Sequence, residues 1–159
     1  MENITPTLSP IRVSKDYALG LKVELESFKN FKPIWWAHYG FRFDLSDDEV
    51  IREFSNYCVR VARNTGAHIL PIYSIGRLPG AKPHIHCVFC ADHYVKYRDV
   101  HIWRSGVSEQ VLYDELQPGI EYLCDYSRSH RLVEGVRPFC PSKGKCRRKG
   151  CVYERGREC

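Results

Sequence analysis

The chain has no apolar run approaching the roughly 20 residues a membrane-spanning helix needs. Its first residues, MENITPTLSP, lack both the basic and the apolar region of a secretory signal. These absences count against membrane insertion and lead to the expectation of a cytosolic protein. No internal repeat and no low-complexity segment precedes residue 140, which excludes a solenoid. Without a secretory signal, the eight cysteines read as thiols or metal ligands rather than as a disulfide framework. The 159 residues suit a single domain with a real core and a short appendage.

What is present is unevenly placed. The net charge is +5, and seven Lys/Arg against two Glu from Cys140 onward account for all of that excess. Four cysteines, Cys140, Cys146, Cys151 and Cys159, fall in the same stretch. Three regions result: an N-terminal extension over 1–32, a domain over 33–139, and a basic, Cys-rich tail over 140–159. A tail carrying Lys143, Lys145, Arg147, Arg148 and Lys149 suits a polyanion, with nucleic acid the commonest partner. A solvated end is the plain alternative. The four tail cysteines can close a tetrahedral structural Zn²⁺ site, although their spacing matches no diagnostic finger or ribbon, and free thiols are the competing reading.

Within the domain, PIWWAHYGFRFD places Trp35, Ala37, Tyr39, Phe41 and Phe43 at a period of two, which predicts a strand. Ser46 and Glu49 form a capping box, Asp47 and Asp48 suit a helix N-terminus, and Val50, Ile51, Phe54, Cys58 and Val61 make one apolar stripe that Asn64–Gly66 ends. AHILPIYSIGR predicts a strand interrupted at Pro71, hence an edge or a bulge. A Pro-Gly turn within 78–82 leads to a strand over 83–91. After a less legible stretch, Pro118 can open a helix that turns Ile120, Leu123 and Cys124 inward. The expected class is α+β, an antiparallel sheet covered on one face by helices. Cys58, Cys87, Cys90 and Cys124 read as core residues, with Cys87 and Cys90 on opposite faces of their strand.

The chemistry concentrates in KPHIHCVFC. Alternation on a strand puts His84 and His86 on one face and Ile85, Cys87 and Phe89 on the other. Neutral imidazoles in fixed register are ligands for a divalent cation. About forty residues later, Tyr122 and Tyr126 are four apart, which puts both phenols on one side of the expected helix with His130 a further turn along. A phenol is a poor nucleophile at neutral pH, and a metal that polarises a phosphate offsets that weakness. Each half alone has a bland explanation: a chance histidine pair, or aromatic packing on a helix. Together they suggest covalent phosphoryl transfer.

At these residues the chain resembles the HUH endonucleases, specifically rolling-circle replication initiators of phages and plasmids. The resemblance covers about residues 33–131 and rests on PHIHCVF, on Trp103 and Gly106 as the spacer element, and on the two-tyrosine motif GIEYLCDYSRSH. It implies a ferredoxin- or RRM-like sheet, with His84 and His86 as ligands of Mn²⁺ or Mg²⁺ and Tyr122 and Tyr126 as nucleophiles. The expected activity is nicking of single-stranded or origin DNA through a 5′-phosphotyrosine. The expected setting is a virus or plasmid and the host cytoplasm, with a separate helicase and polymerase as partners. Similarity to single-tyrosine transposases of the superfamily makes His130 the first candidate for the third ligand and Asp125 the second. The lysine that often follows a motif tyrosine by three residues is replaced by Asp125 and Ser129, leaving Arg128 as a candidate phosphate contact.

Three other functions compete. A histidine-triad hydrolase needs a third histidine where Val88 stands. A zinc nuclease would use water in place of tyrosine. A non-enzymatic nucleic-acid-binding regulator would combine an RRM-like sheet with a basic zinc tail. His38, His68, His93 and His101 have no partner recognisable in the sequence.

Overall fold

A computed structural model describes residues 31–114, 130–133, 136 and 138–141. The aromatic strand runs as β1 (Lys32–Gly40) and the capped helix as α1 (Asp47–Thr65). Next come β2 (Ile69–Gly76), β3 (His84–Ala91), a one-turn helix α2 (Tyr97–Val100), β4 (Ser108–Leu112) and β5 (His130–Leu132). The described strands form one sheet in the order β4-β1-β3-β2-β5, antiparallel at every pairing. The architecture is α+β, as expected. Among the described residues no helix is long and apolar enough to cross a membrane.

Local chemistry accounts for α1. Ser46 Oγ accepts from the Glu49 N–H at 3.3 Å while the Ser46 N–H donates to Glu49 Oε2 at 2.8 Å, the reciprocal capping box. Gly66, at φ 71°, ends the helix in the left-handed region and returns its N–H to the Ala62 carbonyl. The predicted stripe is buried, joined by Tyr57 and Ala62. It packs on the sheet face made by Trp35, Ala37, Tyr39, Tyr73, Ile75, Ile85, Cys87 and Phe89. Each such large side chain contributes on the order of 1.5–3 kcal/mol by leaving water. Val100 of α2 joins the same cluster, so both described helices serve one face. Two phenols buried there are satisfied in series: Tyr39 donates to the Tyr57 oxygen at 3.0 Å, and Tyr57 donates to the Val100 carbonyl. Phe43, expected to continue the strand's apolar side, lies beyond β1 and is 71% exposed.

Pro71 sits within a paired strand, opposite Phe89 of β3. On the outer side of β2, Ile69 exchanges hydrogen bonds with Phe139, and the Val133 N–H reaches the Tyr73 carbonyl. By strand alternation the Pro71 backbone also faces outward, where β5 pairs Ser74–Gly76 and, among the described residues, no ladder needs its missing N–H. The expected interruption is therefore a local edge. The hairpin to β3 turns at Pro79-Gly80, with Gly80 at φ 72° and the Ala81 N–H donating to the Leu78 carbonyl at 3.0 Å, as a type II turn requires.

The opposite sheet face carries a smaller cluster of Leu70, Ile72, Val88, Cys90 and Leu132, against which Phe31, Trp36 and Tyr113 pack. Cys87 and Cys90 accordingly fall on different faces. One end of this second face is not apolar at all, and it holds the candidate site.

Candidate metal centre

Strand register builds the site in two rows. In one row Glu109 of β4, His38 of β1, His86 of β3, Ser74 of β2 and Leu132 of β5 lie side by side. In the next, Gly40, His84, Gly76 and His130 do so. His84 is therefore flanked by two glycines, one on each neighbouring strand. At Gly76 the need for glycine is steric: an added Cβ would lie 2.3 Å from His84 Nε2, 2.6 Å from its Cε1 and 2.9 Å from His130 Cδ2. The empty space over Gly76 is where the imidazoles sit.

His38, His84 and His86 form a group whose ligand nitrogens all lie within 4.8 Å of one another, and it could hold a metal ion. Ring centroids are 4.8 Å apart for His38 and His86, 5.5 Å for His38 and His84, and 4.9 Å for His84 and His86. Nitrogens on one metal at about 2.0–2.1 Å stand roughly 3.4 Å apart in a tetrahedral shell. Small side-chain rotations therefore close the trio on an ion, and the donor set fits. All three rings are half-buried, and Trp36 stacks on His86 at 6.0 Å and 13°.

Burial and mutual proximity hold these rings neutral. Burial pushes His86 down to about 3, with the neighbouring imidazoles His130, His38 and His84 adding to the effect. His84 is lowered by burial first, then by His38 and His130. His38 is lowered by burial, with Glu109 opposing and His130 reinforcing. Neutral imidazoles keep their lone pairs available at physiological pH, so a cation meets little proton competition.

His38 is the candidate ligand for which the sequence offered no partner. Its signal was the alternation of β1: Trp36 and His38 take the face opposite Trp35, Ala37 and Tyr39, but only the β1–β3 register shows that His38 meets His86. His130 does stand at the site, though not as expected. It opens strand β5, pairs with Gly76 and is 3% exposed, rather than continuing a helix one turn past Tyr126. Its ring centre lies 4.6 Å from His86 and 5.8 Å from His84. The close-packed group of ligand nitrogens comprises His38, His84 and His86, and His130 adjoins it.

Tyr122, Tyr126, Asp125 and Arg128 lie outside the described residues, as do Lys143, Lys145, Arg147, Arg148, Lys149, Cys146, Cys151 and Cys159. Cys140 is described; it is buried, next to the Phe139 bridge to Ile69. Trp103 and Gly106 act as a latch on β1. Trp103 Nε1 donates to the Gly40 carbonyl at 2.9 Å, the Gly40 N–H donates to the Val107 carbonyl at 2.7 Å, and a Cβ on Gly106 would lie 2.2 Å from the Gly40 oxygen. This latch fixes the strand end beside His84. The other histidines find partners elsewhere: His68 and His93 both contact Asp92, and His101 contacts Tyr97 and Gln110.

No protein-family model, curated protein or solved structure matches the chain. The site must be read from its own geometry.

Proposed function

We propose that this chain is a metal-dependent, tyrosine-using endonuclease of the HUH type that nicks single-stranded DNA to initiate rolling-circle replication. The observation that carries this reading is the trio His38, His84 and His86, set in fixed register at one end of an otherwise apolar sheet face. The succession β-α-β-β-α-β, its second helix a single turn, and the inner order β4-β1-β3-β2 are compatible with a ferredoxin-like split βαβ plan extended by β5, and support this fold reading. A bound cation would polarise the scissile phosphate and offset its developing charge. The protein's own groups hold the donor nitrogens neutral, close together and reachable from solvent.

The nucleophile rests on the sequence. Tyr126 precedes the buried His130 by four residues. In the proposed step a tyrosine oxygen gives up its proton and bonds to phosphorus, the bond to the 3′ oxygen breaks, and that oxygen takes up a proton and leaves as a free hydroxyl, with no net gain or loss of protons. The second tyrosine allows a second cleavage while the first end is held. A donor set made of imidazoles, with no carboxylate in the group, favours Mn²⁺ and later first-row cations over Mg²⁺.

The test is incubation of the full chain with a randomised single-stranded DNA pool and Mn²⁺, followed by a search for an SDS-resistant adduct and peptide mapping. The expected adduct lies on Tyr122 or Tyr126, disappears in the double Tyr→Phe variant and requires His84. DNA cut without an adduct would identify a hydrolytic nuclease. DNA bound but never cut would identify a binding module instead.

A further inference from the structure

Ser74 stands in the row that crosses the metal centre. Its side chain is fully buried, and among the described residues its hydroxyl has no hydrogen-bond partner. A buried hydroxyl left unpaired is destabilising, so native structures seldom carry one without a use. Register identifies its surroundings. His86 lies directly opposite on β3 and Leu132 on β5, with Ile72 and Gly76 two residues away along β2 on the same face. Ile72 and Leu132 are apolar, and Gly76 has no side chain. Among the described residues, the polar side-chain atoms this register places next to Ser74 Oγ are imidazole nitrogens. His86 is the nearest, at a cross-strand Cβ separation of about 5 Å, and His84 and His130 lie on the diagonals.

A metal-ligating imidazole binds through one nitrogen and carries its proton on the other, and a fixed acceptor for that N–H sets both tautomer and ring orientation. We infer that Ser74 is a positioning residue for the metal centre: with a cation bound on one nitrogen of His86, the ring would turn its other N–H onto Ser74 Oγ, which has no partner among the described residues. This inference rests on reading the imidazole trio as a metal site. It explains why a serine, flanked by Ile72 and Leu132 and facing His86, stands at a position buried from water.

The experiment compares the full-length wild type with Ser74→Ala and Ser74→Thr. Co²⁺ and Zn²⁺ affinities are measured by competition with a chromophoric chelator, alongside the Co²⁺ absorption bands and the melting temperature in EDTA. Ser74→Ala should weaken metal binding about 10- to 100-fold and shift the Co²⁺ bands. Its melting temperature in EDTA should be unchanged or higher, because an unpaired buried hydroxyl has been removed. Ser74→Thr, which keeps the hydroxyl, should restore binding. Wild-type affinity in Ser74→Ala would overturn the inference while leaving the metal site standing. Parallel loss of affinity and of EDTA-state stability would also overturn it, by showing a purely structural role. If the wild type binds neither cation, the metal site itself is refuted and the inference with it.

Discussion

Replacing Gly76 with alanine tests the site's construction most directly. The added methyl would stand 2.3 Å from His84 Nε2 and 2.6 Å from Cε1, against an ordinary carbon contact of about 3.5 Å or more. An overlap of more than 1 Å cannot be absorbed by bond-angle strain, so the ring must swing away. His84 is half-buried and has solvent on one side, which makes that swing tolerable for the fold. The stability cost of overpacking, about 1–3 kcal/mol, is offset by the roughly 0.5–1 kcal/mol that alanine gains over glycine within a strand, leaving about 2.5 kcal/mol or less. Metal binding suffers more, since one of three donors is displaced: a loss of 100-fold or greater, about 2.7 kcal/mol, is expected. Gly40→Ala is the matched control. It flanks His84 from the other side, but among the described residues its Cβ would meet only backbone of Val107, at 3.5 Å or beyond. Titration calorimetry with Zn²⁺ and urea unfolding in EDTA measure the two quantities separately. Equal metal affinity in Gly76→Ala and wild type, or equal losses in the two glycine variants, would refute the reasoning.

Three further outcomes are expected. His38→Ala should reduce metal affinity as severely as His84→Ala, whereas His93→Ala, just past the far end of β3, should leave it unchanged in the same titration. The pH dependence follows from the lowered pKa values of His38, His84 and His86. Below about 6.5 the unfolded chain binds protons that the folded site resists, so metal-free stability rises with pH. It should be greatest above about 6.5 and decline as pH falls toward about 3, where His86 protonates. A melting-temperature profile in EDTA that is no flatter in the triple His→Ala variant than in the wild type would contradict this. Gly106→Ala drives a methyl against the Gly40 carbonyl oxygen at 2.2 Å, where backbone on both sides must move. A destabilisation of about 2 kcal/mol or more is expected in urea, with the hydrogen bond from Trp103 to the Gly40 carbonyl opening first.

Helix α1 was determined by the sequence alone, because its capping box, its acidic first turn, its apolar stripe and the glycine that ends it all act within a few residues of one another. The shared face of His84 and His86 was determined equally locally, by strand alternation. The Pro-Gly turn needed only the φ preferences of its two residues. The remaining features required long-range pairing. His38 becomes a candidate metal ligand because β1 and β3 meet in a register that sets it opposite His86, and nothing within β1 specifies that register. His130 was read as the continuation of a helical period, yet a three-residue strand has too few positions to display a period of its own. Its conformation comes from pairing with Gly76. Gly76 itself looked like an ordinary strand end, and its function appears only when two imidazoles from β3 and β5 converge over it. Trp103 and Gly106 could be matched as a spacing, but the carbonyl they grip belongs to Gly40, more than sixty residues earlier in the chain. The sequence thus determined which side chains face away from the core, since that follows from local periodicity. Which of them share one site was decided by sheet register, because contacts between distant strands depend on how the whole chain packs.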